Sequence, residues 1–168
     1  MGTAFVGEYD TRDQNRGQVR RVIEATLHPD YVGTSNNDDL AIMKLERPIV
    51  NPTLVNLNTD SEIPPQTGEE LLMLGWGSIT DGQTAPVQVA SVLQEAPTQF
   101  IPFAQCAVAR DPLLGIEFGF SVEETGVPPG WLCTYDENFA HCVGDSGGPV
   151  LRLGATAEED LLIGVISA

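Results

Sequence analysis

Basic side chains are scarce in this sequence of 168 residues. Lysine and arginine together number 8, against 24 aspartates and glutamates, which gives a formal net charge of −16. Proteins that bind nucleic acid need lysine and arginine to neutralise phosphates, so we expect no nucleic-acid partner. The same charge favours a protein that stays dispersed in solution, and it carries no information about the fold.

Long apolar runs, a signal peptide and an even set of cysteines are also lacking. No stretch of 18 apolar residues occurs, so we predict no membrane span. The first residues have neither the basic start nor the apolar segment of a secretory signal, which indicates either a cytosolic chain or a missing natural start. The three cysteines, Cys106, Cys133 and Cys142, show no close pairing of the kind that binds zinc. In a secreted chain an odd cysteine indicates a missing partner.

Short apolar segments separated by turn residues predict an all-β fold, a sandwich or a barrel. Alternation, β-branched residues and flanking turn residues mark the candidate strands, and helical spacing marks one short surface helix within 101–110. A stretch rich in proline, asparagine and threonine at 51–70 predicts an extended connector between two lobes. The candidate strands are 4–6, 18–27, 40–45, 71–74, 87–97, 150–153 and 161–167.

The run Cys-Val-Gly-Asp-Ser-Gly-Gly-Pro at 142–149 surrounds one hydroxyl with small and turn-forming residues. Glycine accepts backbone angles that other residues resist, so Ser146 can lie in a tight turn with its Oγ exposed. Such a turn also aims consecutive backbone N–H groups into one hollow, where an oxyanion is stabilised. We therefore predict a nucleophilic Ser146, with the amides of Gly144 and Ser146 as oxyanion donors. The alternative is an ordinary glycine-rich turn.

The Gly-Asp-Ser-Gly-Gly-Pro string resembles the nucleophile loop of the trypsin/chymotrypsin family of serine endopeptidases. A second segment, Asp-Asp-Leu-Ala-Ile-Met-Lys-Leu at 38–45, taken alone, could be a loop ahead of a core strand. It resembles the family segment that contains the aspartate of the catalytic triad. The resemblance places Asp39 in that role, with Asp38 as the one-residue alternative.

The resemblance covers nearly the whole chain from residue 7 onward. Gly-Glu-Tyr at 7–9, His-Pro-x-Tyr at 28–31 and Gly-Trp-Gly at 75–77 all resemble the family, whereas Leu71 stands where the family usually has a cysteine. The implied fold is a pair of antiparallel β-barrels, with the first barrel partial and the last strands of the second missing. It divides the chain into a first-barrel remnant, the connector and most of the second barrel, at 1–50, 51–70 and 71–168.

The resemblance also implies roles for further residues. Cys106 and Cys133 would form a disulfide, while the family partner of Cys142 lies in a segment that this sequence does not contain. Asp145 would form the activation ion pair with a buried α-amino group, and a buried carboxylate without that partner is costly. The substrate pocket would be formed by Ala140, His141 and Ser167, with Ala140 at its floor. Because the floor residue is not an aspartate, we predict no preference for lysine or arginine at the cleaved position.

A serine hydroxyl needs a neighbouring base, and the family's base is a histidine in an Ala-Ala-His-Cys segment that is not found here. Neither His28 nor His141 stands at that place. We expect a fragment of a secreted serine endopeptidase, inactive as it stands, that acts on protein or peptide substrates and meets protease inhibitors. A non-catalytic homologue used for binding or regulation is the alternative, and an acidic binding module is a weaker one. We expect no cofactor and no metal.

Overall fold

The computed structural model describes residues 2–13, 17–33, 38–60, 66–80, 86–102, 131–138 and 141–167. In these ranges the regular structure consists of nine β-strands and one turn of 3-10 helix, so the predicted all-β fold class is confirmed. The strands are β1 (Thr3–Val6), β2 (Gln18–Leu27), β3 (Ala41–Leu45), β4 (Asn56–Leu57), β5 (Glu70–Gly75), β6 (Gln94–Ile101), β7 (Cys133–Tyr135), β8 (Pro149–Arg152) and β9 (Leu161–Val165), and the 3-10 turn is Ala157–Glu159.

The first three strands form an antiparallel sheet in the order β1-β2-β3. The long central strand β2 pairs with β1 through its first half and with β3 through its second half, with a register shift after Val22. Only Arg20 and Val22 of β2 are buried, and Ile42 of β3 is 78% exposed. The predicted strands are therefore present, but β3 leaves its apolar side chains in contact with solvent.

A buried arginine fastens the following segment to this sheet. The guanidinium of Arg20 donates to the carbonyl oxygen of Pro48 at 3.2 Å and to Gln18 Oε1 at 2.8 Å. Gln18 in turn exchanges two hydrogen bonds with the backbone of Val50, at 2.7 and 2.9 Å. Because a buried cation is costly unless it is hydrogen-bonded, these contacts explain how Arg20 is tolerated inside.

The remaining strands form a six-stranded sheet in the order β4-β9-β8-β5-β6-β7. All neighbouring strands are antiparallel except β4 and β9, which run parallel. The family resemblance predicts antiparallel barrels, so this parallel pair departs from that expectation. Alternate residues of β5 point to one face, where Leu71 and Met73 are 3% and 4% exposed. They form the core with Val150 and Ile166, and partly buried apolar side chains pack against this cluster: Ala96, Phe100, Leu132 and Ile163.

The two sheets are joined by backbone contacts between the segment after β1 and the segment before β6. Asp10 forms a bridge with Val92, and the amide of Leu93 donates to the carbonyl oxygen of Tyr9 at 2.8 Å. Trp76 Nε1 donates to the same carbonyl at 3.3 Å. The strand predicted at 87–97 therefore begins only at Gln94, because the residues before it bridge to other segments.

Other predicted elements have mixed outcomes. The hairpin predicted after Pro149 is confirmed as the antiparallel pair β8 and β9. Strand β4 lies inside the predicted connector and pairs with the six-stranded sheet, and the division of the chain into two lobes stays a prediction. The helix predicted within 101–110 lies outside the described residues from 103 onward. Within the described part of the chain, no helix is long and apolar enough to cross a membrane.

Candidate active site

The glycine-rich loop at 142–149, called here the nucleophile loop after the predicted role of Ser146, forms the turn that the sequence predicts. Gly144 and Gly147 have φ values of 101° and 86°, in the left-handed region that side chains with a Cβ rarely adopt. The amide of Asp145 donates to the carbonyl oxygen of Cys142 at 3.0 Å, and the amide of Gly148 donates to that of Asp145 at 2.8 Å. These two tight turns present Ser146 as an exposed residue at the surface of the loop.

The nucleophile loop is hydrogen-bonded to the segment that follows β9. The amide of Gly147 donates to the carbonyl oxygen of Ile166, and the amide of Ile166 donates to that of Gly148, both at 2.8 Å. Ile166 belongs to the buried core cluster. The position of Ser146 is thus fixed by the core of the six-stranded sheet on one side.

Asp145 holds the loop on the other side. Its Oδ1 accepts the amide of Gly77 at 2.8 Å, and its Oδ2 accepts the amide of Cys142 at 2.8 Å. A Cβ added at Gly75 or at Gly77 would collide with the carboxylate of Asp145, so only glycine at both positions admits it. The residue is half-buried, and both of its carboxylate oxygens have backbone donors. Two backbone amides therefore bind this carboxylate, and its ion pair with an α-amino group stays a prediction.

Asp39 contacts the segment next to the nucleophile loop. Its Oδ2 accepts a hydrogen bond from Ser167 Oγ at 2.8 Å, across 128 residues of sequence. The neighbouring Asp38 has a φ of 55°, and its Oδ1 lies 3.8 Å from His28 Nδ1. The two aspartates therefore face different partners, and Asp39 accepts its hydrogen bond from the segment that follows β9.

A cavity of about 220 Å³ opens beside the nucleophile loop. Two of the three predicted pocket residues, His141 and Ser167, line it together with apolar side chains from four strands and their ends. The third, Ala140, lies outside the described residues. The other lining residues are Met73, Trp131, Leu132, Thr134, Val150, Gly164, Val165 and Ile166.

The two histidines lie in different places. His28 Nδ1 accepts the amide of Asp30 at 3.3 Å at the end of β2, next to Asp38. His141 is exposed and lines the cavity, five residues before Ser146 in the sequence. These contacts of His28 lie in the segment that joins β2 to β3.

Of the two cysteines of the predicted disulfide, Cys133 lies among the described residues and Cys106 does not. Cys133 is buried at the start of β7, and its predicted partner Cys106 lies outside the described residues, so this pairing stays a prediction. Cys142 is a free thiol whose Sγ lies 3.9 Å from the carbonyl oxygen of Thr80. Among the described residues no group of three or more histidine, cysteine or acidic side chains is arranged to hold a metal ion.

Two features of the site are not encoded in local sequence patterns. The family resemblance predicts Ser167 in the substrate pocket and gives no sign of its hydrogen bond to Asp39. The Gly-Trp-Gly segment resembles the family, but only the structure gives the reason for its glycines, which leave room for the Asp145 carboxylate. A local pattern could have marked the two glycines as unusual, but nothing local indicates which carboxylate they face.

Comparison with known proteins agrees with this geometry. A family model described as Trypsin matches residues 2–168. A venom serine protease of Polistes dominula is 29% identical over 171 residues, which cover 96% of this chain and 54% of that protein. A vitellin-degrading protease of Bombyx mori is 32% identical over 145 residues, which cover 83% of this chain and 48% of that protein. A venom peptide isomerase heavy chain of Agelenopsis aperta is 27% identical over 161 residues, which cover 95% of this chain and 63% of that protein.

This chain spans about half to three-fifths of the length of these relatives. The family model nevertheless covers almost every residue, from β1 to the segment after β9, and it includes the nucleophile loop with Ser146. Together, the match and the all-β fold identify the chain as a member of the trypsin family of serine peptidases.

Proposed function

We propose that this chain is part of a serine-type endopeptidase that cleaves peptide bonds through an acyl-enzyme at Ser146. The observation that supports the proposal most strongly is the exposed Ser146 in a loop held by Asp145 and by the backbone of Ile166. In the established family mechanism, the serine oxygen attacks the carbonyl carbon, a histidine takes the proton, and an aspartate orients that histidine. The orienting carboxylate in this chain is Asp39.

The oxyanion donors are the amides of Gly144 and Ser146. Preorganised amides stabilise the charge that develops on the carbonyl oxygen, and removal of one such donor costs about 10²–10³ in rate. The left-handed φ of Gly144 and the amide contacts of Asp145 hold this loop in one shape. Asp145 is therefore the residue that organises the oxyanion hole, with or without the family's ion pair.

The general base is a histidine from outside these 168 residues. His28 uses its Nδ1 at the end of β2, where it accepts an amide and lies near Asp38. His141 lines the cavity that we assign to substrate. Both placements support a fragment whose serine and aspartate are present and whose base is supplied elsewhere in the full protein.

The substrates are proteins or peptides, and protease inhibitors are the expected competitors. We assign His141 and Ser167, which line the cavity, to the substrate pocket, and the family resemblance implies that Ala140 is its floor. An extracellular location follows from the family resemblance and agrees with the venom proteins among the relatives. Disulfides form and persist in oxidising extracellular environments, so the predicted disulfide between Cys106 and Cys133 is consistent with this location.

Labelling of Ser146 with a fluorophosphonate tests the proposal, with added free imidazole as an external base. Without imidazole we expect labelling and ester cleavage about 10⁴–10⁶ below those of a complete triad, because a triad member is absent. Imidazole should raise labelling with concentration in the unaltered chain and leave Ser146→Ala unlabelled. Rapid cleavage without imidazole that is lost in Ser146→Ala would contradict the absent base.

The placement of the two histidines also favours one alternative function, a non-catalytic homologue that binds peptides or regulates a partner. In that case the nucleophile loop and the pocket bind a peptide or a partner protein, and Ser146 has no chemical role. Added imidazole then does not raise the labelling of a folded chain above that of Ser146→Ala. The same experiment therefore separates the two functions.

A further inference from the structure

The imidazole of His28 has two neighbours at one nitrogen atom. Its Nδ1 accepts the amide of Asp30 at 3.3 Å and lies 3.8 Å from Oδ1 of Asp38. The two neighbours require opposite protonation states, because an amide needs a lone pair on Nδ1 and a carboxylate needs a proton there. The protonation of His28 therefore decides which of the two groups its Nδ1 binds.

His28 contacts both sequence neighbours of Asp39. Its imidazole lies beside Asp38, and its backbone amide donates to the carbonyl oxygen of Leu40 at 2.9 Å. The amide of Leu40 donates to the carbonyl oxygen of Asp38 at 2.8 Å, which closes a three-residue turn around Asp39. The carboxylate of Asp39 accepts the hydroxyl of Ser167. A change in the contacts of His28 therefore acts on the turn that contains the proposed orienting carboxylate.

The backbone of Asp38 depends on contacts of this kind. Its φ of 55° lies in the left-handed region, which residues with a Cβ adopt rarely, although aspartate and asparagine do so more often than most. Such a conformation persists where the surroundings hold it in place. A charge-assisted contact with His28 holds the side chain of Asp38 and, through it, this strained backbone.

Carboxylates surround the imidazole of His28. The titratable groups of its own turn and of the facing segment are Asp30, Tyr31, Asp38 and Asp39. Among the described residues, the ion pairs of lysine and arginine are made with other carboxylates, those of Asp10, Glu24, Glu46 and Glu69. A histidine gains its positive charge as the pH falls from about 8 to about 5. A proton on His28 therefore places a positive charge beside two adjacent carboxylates.

We propose that His28 is a positioning residue for Asp39, and that it acts through a proton-dependent ion pair with Asp38. When His28 is protonated, its Nδ1–H binds the carboxylate of Asp38 and holds the turn. When it is neutral, Nδ1 accepts the amide of Asp30, and the charge of Asp38 repels that of Asp39. The inference rests on the proposed function, because that function gives Asp39 its chemical role.

The exposure of the pair sets the size of the effect. The side chains of His28 and Asp38 are 37% and 38% exposed, so water and salt screen their attraction. Ion pairs at such places change an equilibrium by about two- to fivefold at most. The proton on His28 therefore adjusts the turn around Asp39 and does not decide whether the chain folds.

Hydrogen exchange of the His28 amide in the intact chain tests the ion pair without any reaction. This amide donates to Leu40, so its protection reports how often the turn opens. We expect its protection factor, corrected for the intrinsic exchange rate, to be about two- to fivefold higher near pH 5.5 than near pH 7.5. The amide of Phe100, which donates to Glu69 in the other sheet, is the internal reference for changes in overall stability.

Four variants separate the ion pair from its surroundings. Asp38→Asn removes the charge and tolerates the left-handed φ, and His28→Asn keeps an acceptor for the amide two residues on, so both should abolish the pH difference. Asp30→Asn should keep it, because Asp30 contacts the imidazole through its amide, and so should His141→Asn. A pH difference that survives in a folded Asp38→Asn variant, or an unaltered folded chain without one, overturns the inference.

The pH profile of Ser146 labelling measures the effect on Asp39. With free imidazole as the base, we expect the ratio of labelling rates between the unaltered chain and Asp38→Asn to rise about two- to fivefold from near pH 7.5 to near pH 5.5. The titration of free imidazole cancels in this ratio. A constant ratio overturns the positioning role. Absence of labelling at every pH contradicts the proposed function alone, because the exchange experiment needs no reactive serine.

Discussion

At the scale of single residues, the shape of the nucleophile loop depends on two glycines far from it in sequence. Gly75 and Gly77 leave room for the carboxylate of Asp145, and the amide of Gly77 also donates to it at 2.8 Å. The position of Ser146 therefore depends on two residues that have no side chain, because a side chain at either place would displace the carboxylate of Asp145.

The variant Gly77→Ala tests this contribution. Its Cβ would collide with the carboxylate of Asp145, so we expect a loss of about 1–3 kcal/mol in the free energy of unfolding, the usual cost of overpacking. Urea unfolding followed by fluorescence measures it. Gly2→Ala is the matched control, because a Cβ there has no heavy atom within 4 Å. Equal stability of the two variants would show that Asp145 moves aside without cost.

At the scale of elements, an ion pair between Arg12 and Asp10 stabilises the described part of the turn between β1 and β2. Arg12 donates to Asp10 through Nε at 2.9 Å, through Nη2 at 2.7 Å and through its own amide at 2.9 Å. These hydrogen bonds lower the pKa of Asp10 from 3.8 to about 2. Asp10 also bridges to Val92, so the ion pair lies at the junction of the two sheets.

This lowered pKa predicts the pH dependence of the junction. The folded pKa lies below the unfolded one, so the ion pair stabilises the fold fully above pH 4 and loses that effect as the pH falls towards about 2. Tryptophan fluorescence during urea unfolding at several pH values follows it, because Trp76 contacts Tyr9 beside the junction. Asp10→Asn should flatten the loss between pH 4 and 2, whereas Asp30→Asn should keep it. Parallel curves for Asp10→Asn and the unaltered chain would contradict this assignment.

At the scale of the whole molecule, the two sheets differ in how well their apolar residues are covered. The six-stranded sheet has a buried core cluster, whereas β3 exposes Ile42 by 78% and Met43 by 64%. Exposed apolar strands at a sheet edge promote association between copies. We therefore expect the isolated chain to bind hydrophobic dyes, to associate and to unfold over a broad range.

The variant Ile42→Lys tests the role of this exposed face. It should lower self-association in size-exclusion chromatography at nearly unchanged stability, since surface substitutions usually change the free energy of unfolding by less than about 0.5 kcal/mol. Ile42→Val keeps the apolar face and should associate as the unaltered chain does. A monodisperse single chain with a sharp cooperative transition would contradict the expectation before any substitution is made.

Local patterns in the sequence predicted the features that are themselves local. Strand β2 matches its predicted bounds of 18–27, because its β-branched residues and its flanking turns lie in one stretch. The turn around Ser146 follows from its own glycines. The contact of Ser167 with Asp39 and the parallel pairing of β4 with β9 join distant segments, and no periodicity within a segment encodes them. The exposure of β3 likewise depends on which elements cover it, and its apolar composition alone predicts burial.

The hydrogen bond between Ser167 and Asp39 also has a consequence in time. A ribosome that adds about 5–20 residues per second needs roughly 6–26 s to make the 128 residues that separate the two side chains. When Asp39 is added to the chain, neither Ser146 nor the strands that follow it exist, and Ser167 is added only at the end of this interval. A growing chain therefore cannot form the hydrogen bond between Asp39 and Ser167 until all residues of the candidate site have been added, so this site assembles late in the synthesis of the region.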